Sequence, residues 1–79
     1  MNKLEIIEAK YCEQYKIWLK FNDNHMGVVD LENDIWGHIF EPLKDISVFK
    51  EFHISEISNT LEWDNGADIA PEYLYKKIF

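Results

Sequence analysis

The run YKIWLKF at residues 15–21 constrains the fold more than any other part of the chain. Bulky apolar residues and lysines alternate along it, and a period of two is typical of a strand with one buried face. The pattern predicts a core-facing side made of Tyr15, Ile17, Leu19 and Phe21, and an opposite side that carries Lys16, Trp18 and Lys20.

Two further strand patterns flank this run. LEIIEAKY at residues 4–11 is rich in Ile and Leu, and MGVVDL at residues 26–31 follows the cluster NDNH at residues 22–25. Asn and Asp favour turns, because they tolerate left-handed backbone geometry and bond their own backbone. The three runs therefore predict an antiparallel meander.

The patterns become shorter in the second half of the chain. Residues 32–45 are irregular, because Gly37 and Pro42 interrupt any regular spacing. Asp45 is a good N-cap, and it predicts a short helix over residues 46–51.

HISEI at residues 53–57 and TLEW at residues 60–63 predict two more strands. Ser58 and Asn59 would form a two-residue turn between them.

The last nine residues, PEYLYKKIF at 71–79, predict a helix. Pro71 suits the first helical position, because its missing N–H would be unpaired there. Leu74 and Ile78 are four residues apart and can form the buried stripe. One of the tyrosines Tyr73 and Tyr75 would flank that stripe.

The order β-β-β-α-β-β-α predicts a single small α+β domain over residues 1–79, with an antiparallel sheet and short helices. Cys12 is the only cysteine, which excludes an internal disulfide and fits a reducing compartment. The N-terminus has no signal-peptide pattern, and no segment approaches the roughly 20 apolar residues of a transmembrane helix. We therefore expect a cytoplasmic protein without membrane contact.

The charge is uneven along the chain, which has a net charge of −7. The first 20 residues carry four lysines and three glutamates, whereas residues 21–79 carry four lysines and twelve acids. Nucleic-acid binding needs a basic face that displaces counterions, so direct binding is disfavoured. The acidity favours a basic partner, or it serves only solubility.

The segment WDNGADIAP at residues 63–71 combines turn and helix-entry signals. Gly66 after Asn65 permits a positive φ. Asp68 can accept backbone N–H bonds, and Ile69 can cover the start of the helix. These roles favour architecture, while ligand binding by the same loop stays open.

The residue types that carry most enzyme chemistry are not grouped in this sequence. The three histidines lie in different segments, Cys12 has no adjacent base, and the glycines form no phosphate-binding pattern. Pairs of carboxylates arise by chance among so many acids, so they do not indicate acid–base catalysis. We expect no catalytic residues, no metal site and no cofactor. The residues considered were His25, His38, His53, Asp30, Glu32, Asp34, Asp64 and Asp68.

Aromatic residues are the strongest indication of a binding surface. Trp18 faces away from the apolar side of its strand, and Trp36 lies in the irregular segment. Exposed apolar patches often mark partner surfaces, although the helices could cover these residues instead. The candidate partner or ligand surface comprises Trp18, Trp36, Trp63, Asn65, Asp68 and Tyr73; Gly66, Pro71, Leu74 and Tyr75 are candidate structural residues.

The pattern Trp-x-Asn-Gly-Ala-Asp-Ile-x-Pro-x-x-Leu-Tyr at residues 63–75, with Pro-Leu-Lys-Asp at residues 42–45 and Val-Val-Asp-Leu at residues 28–31, resembles a bacterial family of unknown function, DUF2442. The resemblance covers nearly the whole chain and implies a small α+β fold. It implies no established activity and no catalytic residues. Members of the family are often encoded beside another small protein, in an arrangement similar to toxin–antitoxin pairs. Some relatives carry a helix-turn-helix segment after this domain, and we expect this chain to lack it.

Two hypotheses follow. The first is a protein-interaction module that is not an enzyme and binds a small neighbour-encoded protein, with a basic partner favoured by the acidity of the chain. Its sharpest form is an antitoxin. The second is a small ligand-binding protein or enzyme that uses the loop at residues 63–71. A homodimer is expected as well, because exposed strand edges in small domains invite pairing.

Overall fold

The computed structural model describes residues 3–78 and begins with the predicted meander. Strands β1 (Ile6–Glu13), β2 (Lys16–Phe21) and β3 (Met26–Asp30) form an antiparallel sheet in the order β1-β2-β3. Gln14 and Asn24 have positive φ in the two connecting turns. The turn after β2 is closed by the Phe21 N–H, which donates to the His25 carbonyl at 2.8 Å.

The alternation in β2 sets the two faces of the sheet as expected. Ile17, Leu19 and Phe21 are buried, whereas Trp18 is half-buried on the outer face. Opposite Trp18, Val28 of β3 is 48% exposed. The outer face is therefore open to solvent.

The second half of the chain contains short elements in the predicted order. A 3₁₀ helix (His38–Lys44) occupies part of the segment predicted to be irregular. It leads into α1 (Ile46–Phe49), and Asp45 caps α1 by accepting the Ser47 N–H at 3.0 Å. Strands β4 (His53–Ile54) and β5 (Leu61–Glu62) pair antiparallel, and α2 (Pro71–Lys77) follows.

The turn between β4 and β5 is longer than the two residues predicted. It spans residues 55–60, because Ser55 organises the backbone here. The Ser55 hydroxyl accepts N–H bonds from Ile57 and Ser58, both at 3.2 Å, and the Ser55 carbonyl accepts the Asn59 N–H at 2.8 Å. The prediction placed Asn59 in the turn correctly, and its φ is positive.

One core lies between the inner face of the sheet and the second half of the chain. Phe49 is its aromatic centre, with Tyr15 at 5.2 Å and Trp63 at 5.8 Å between ring centroids. Leu74 is buried as predicted, whereas Ile78 lies just past the end of α2 in an extended conformation; it is buried there and packs over Gly27. The predicted last residue of that helix, Phe79, lies outside the described residues. None of the described helices is long and apolar enough to cross a bilayer.

Candidate functional site

The loop between β5 and α2 is held by its own backbone and by Asn65. Gly66 adopts a φ of 91°, as the Asn-Gly pair predicts. The Asn65 side chain accepts the Ala67 N–H at 3.0 Å and donates to the Ile39 carbonyl at 2.9 Å. The second bond ties the loop to the 3₁₀ helix.

Asp68 does not have the backbone-bonding role predicted for it. Its backbone forms a bridge with Glu62, while its exposed side chain accepts no hydrogen bond from any described residue. Asn65 takes that role instead, because it stands two residues before Ala67 and reaches its N–H in a local turn. The Asp68 carboxylate therefore stays available to solvent.

The start of α2 is held in place by buried contacts. Pro71 is the first helical residue and is buried. The buried Thr60 hydroxyl donates to the Ile69 carbonyl just before the helix. These contacts place Tyr73, in the first turn of α2, beside the segment that follows β3.

Asp34 connects that segment to α2. The Tyr73 hydroxyl donates to Asp34 Oδ1, and Lys77 Nζ lies 3.0 Å from Asp34 Oδ2. Oδ2 is buried without a well-aligned hydrogen bond, but the Lys77 ammonium compensates its charge. The Asp34 side chain is only 14% exposed, so this cluster is a structural tie.

The same tie affects the phenol of Tyr73. The hydrogen bond to Asp34 raises the pKa of Tyr73 above its ordinary value of 10.0, because losing the proton would leave two negative oxygens in contact. Tyr73 is therefore a hydrogen-bond donor at neutral pH and not a base.

These elements enclose a cleft of about 420 Å³, which we call the acidic cleft. Trp36 stands at its rim with 72% of its surface exposed, and Asp68 and Tyr73, both exposed residues, also line it. The cleft is thus mostly apolar, and it includes Asp68, whose side chain bonds none of the described residues. Its lining comprises Asp34, Trp36, Phe40, Asp68, Ile69, Ala70 and Tyr73.

A smaller depression of about 180 Å³ lies between residues 63–65 and the segment at residues 42–51, which contains the end of the 3₁₀ helix and α1. The hydrogen bond from Asn65 to the Ile39 carbonyl joins the loop to the 3₁₀ helix beside this depression. Glu51 and Asp64 give this depression an acidic border as well. Its lining comprises Pro42, Val48, Glu51, Trp63, Asp64 and Asn65.

The structure separates the six candidate surface residues into three places. Trp36, Asp68 and Tyr73 meet in the acidic cleft, whereas Trp63 and Asn65 border the smaller depression. Trp63 is only 2% exposed and donates its Nε1–H to the Phe49 carbonyl at 2.7 Å, so it belongs to the core. Trp18 lies apart from both, on the outer face of the sheet, with Lys10 Nζ 5.5 Å from its ring centroid.

The four candidate structural residues are all in structural positions. Gly66 turns the loop, Pro71 starts α2 and Leu74 is fully buried. Tyr75 packs its ring on Phe21 with centroids 5.0 Å apart, and its hydroxyl donates to Asp23 at 2.7 Å.

The sequence did not predict the contacts of Asp34 with Tyr73 and Lys77 beside the acidic cleft. Asp34 was considered only as one of several chance carboxylates. Asp34 and Tyr73 are 39 residues apart in the sequence, so no local pattern links them.

Most of the groups considered for chemistry are dispersed in the structure, although His53 Nδ1 lies 3.7 Å from Asp64 Oδ1. No set of three or more His, Cys, Asp or Glu side chains among residues 3–78 is arranged to hold a metal ion. His25 stacks on Tyr75, His53 Nε2 lies 3.0 Å from Glu62 Oε1, and Cys12 is exposed.

Comparison with known proteins gives a family and no function. No curated protein and no solved structure matches the chain significantly. The family model described as a protein of unknown function, DUF2442, matches residues 6–79. This match confirms the resemblance carried by the motifs at residues 28–31, 42–45 and 63–75, and the chain belongs to the DUF2442 family.

Proposed function

We propose that this protein is an interaction module that binds a basic segment of a protein partner in the acidic cleft. One observation carries the proposal: the highly exposed Trp36 lines the same mostly apolar cleft as Asp68, whose exposed side chain bonds none of the described residues. An exposed indole beside a carboxylate suits a lysine or arginine side chain, which gains both a cation–π contact and an ion pair.

The charge of the whole molecule supports the same partner. A net charge of −7 attracts a basic protein over long range and speeds its association. A role as antitoxin for a small basic protein encoded nearby is the sharpest form of this proposal. That form rests on the gene arrangement typical of the family.

The test is calorimetric titration of the small neighbour-encoded protein into the wild type and two cleft variants. Trp36→Ala should weaken binding by about 30-fold, because buried tryptophans at interfaces contribute about 2 kcal/mol or more. Asp68→Asn should weaken it by a few-fold, and added salt should weaken the wild-type complex.

Two matched variants control this experiment. Trp18→Ala removes a tryptophan outside the cleft, and Glu56→Gln removes an exposed acid that lines neither depression. Both should bind like the wild type. Equal losses in the control and cleft variants would contradict the cleft, and a neighbour that does not bind would contradict the antitoxin form.

A second candidate is binding of a small molecule, because a volume of about 420 Å³ falls within the range of ligand pockets. It would use Asp68 at the end of the loop at residues 63–71. In that case Asp68→Asn should abolish binding of the small molecule and leave the melting temperature nearly unchanged. A screen of small cations by thermal shift would identify such a ligand without any protein partner.

A further inference from the structure

Strand β3 is an open edge of the sheet. The bonds that bracket the β2–β3 ladder are from Phe21 N–H to the His25 carbonyl and from Leu31 N–H to the Tyr15 carbonyl. Bonded pairs alternate in an antiparallel ladder, so Gly27 and Val29 use their backbone groups toward β2. The backbone groups of Met26, Val28 and Asp30 consequently point away from the sheet.

No backbone hydrogen bond joins those three residues to any other residue within 3–78. Met26 and Val28 also expose about half of their side chains. A strand with unpaired outward groups and exposed apolar side chains is a template for another strand.

The opposite edge of the sheet is protected. Along β1 the register shifts twice, between Ile6 and Glu8 and between Tyr11 and Glu13, and such bulges interrupt edge pairing. The Ile6 N–H is also occupied by the Asn59 carbonyl at 2.9 Å. By contrast, β3 has a continuous register and contains neither lysine nor proline.

We propose that β3 pairs antiparallel with β3 of a second copy of this chain, with Val28 opposite Val28, to form a continuous six-stranded sheet. Three bonded residue pairs would exchange roughly six backbone hydrogen bonds across the two-fold axis. This proposal is independent of the acidic cleft.

The proposed register brings no charged side chain of β3 opposite another. Asp30 of each copy lies opposite Met26 of the other, so no like charges oppose each other along the new ladder. On the outer face, Trp18 is the β2 neighbour of Val28, so Trp18 and Val28 of both copies form one apolar strip across the junction. The contact is small compared with standard interfaces, so association in the micromolar range is expected.

In the proposed dimer Val28 of each copy lies opposite Val28 of the other, and the test uses this pairing. Val28→Lys and Val28→Glu keep the backbone N–H at an exposed site, so both variants should fold. Each should be monomeric in sedimentation equilibrium from micromolar to millimolar protein, because each places like charges across the axis. An equimolar mixture of the two should form a heterodimer at least as stable as the wild-type dimer.

Ile57→Lys and Ile57→Glu are the matched controls, since Ile57 is 92% exposed in the β4–β5 turn. Both should dimerise like the wild type. A wild type that stays monomeric at every concentration would overturn the proposal and leave the edge to a strand of another protein. Val28 variants that still dimerise, or a mixture that does not associate, would overturn the pairing of β3.

Discussion

The meander and the second half of the chain reach order by different means. In the meander, backbone ladders join β1, β2 and β3 along most of their length, and one alternating pattern in β2 decides which side chains enter the core. Hydrogen bonding and burial are satisfied together by the same regular geometry.

The second half has two strands of two residues and a helix of four, so ladders satisfy few of its backbone groups. Single polar side chains replace them. Trp63 bonds the Phe49 carbonyl, Asn65 bonds the Ile39 carbonyl and Thr60 bonds the Ile69 carbonyl. The difference shows that a short chain can order an irregular half by giving individual carbonyls dedicated donors.

Removing the ring of Phe49, which packs between the two halves, should cause the largest loss of stability. Phe49→Ala leaves a cavity between Tyr15 and Trp63, and large-to-small substitutions of this kind cost about 3–5 kcal/mol. That is a large part of the stability of a small domain. Urea denaturation measures the loss. Val48→Ala, at an exposed site on the same helix, should cost under about 0.5 kcal/mol; equal costs would mean that the halves do not depend on this ring.

A smaller effect should follow from removing one dedicated donor. Asn65→Ala breaks the bonds to Ile39 and Ala67 and should cost about 1–2 kcal/mol. Asp68→Asn, three residues away, should cost under about 0.5 kcal/mol, because its side chain bonds none of the described residues. Thermal and urea unfolding of the two variants would distinguish these roles. A larger loss for Asp68→Asn would assign the loop architecture to Asp68 instead.

The smallest effect on stability should come from the hydrogen bond that the Tyr75 hydroxyl donates to Asp23, which joins the two halves. The Tyr75 hydroxyl, and then the His25 N–H, lower the pKa of Asp23 below its ordinary 3.8. Because the folded pKa is depressed, the contribution of Asp23 to stability is present above the unfolded pKa and is lost as pH falls through the folded value. The melting temperature should therefore decrease when the pH is lowered below about 4.

Tyr75→Phe removes the largest cause of that shift and should make the decline in acid shallower. Asp45 has a lowered pKa too, through Ser47, and this bond is unchanged in the variant. Parallel curves of melting temperature against pH for the two proteins would show that the bond from Tyr75 to Asp23 contributes nothing to the acid response.

The sequence predicts those parts of the fold whose determining signals are local. Alternation at residues 15–21 identifies the faces of the sheet, and the Asn-Gly pair and Pro71 identify the last loop and helix. The alternation assigns Ile17, Leu19 and Phe21 to one face and both lysines to the other, so it identifies the core-facing side.

The rest could not be predicted because the determining contacts are distant in sequence. Asp34 is 39 residues from Tyr73, and Asn65 is 26 residues from Ile39. Either side chain could have bonded its own neighbours, as Asp68 was expected to do, and only the folded chain decides which carbonyl or hydroxyl lies within reach. Three of the candidate surface residues met in one cleft for the same reason, while Trp63 was drawn into the core.

The placement of the three tryptophans gives the molecule a built-in set of optical reporters. Trp63 is enclosed and hydrogen-bonded, Trp18 is half-covered near the open strand edge, and Trp36 projects into water at the cleft. Indole emission shifts to longer wavelength and becomes more accessible to quenchers as the ring meets water. Variants that keep one tryptophan each would therefore report separately on unfolding, on events at the sheet edge and on occupancy of the cleft.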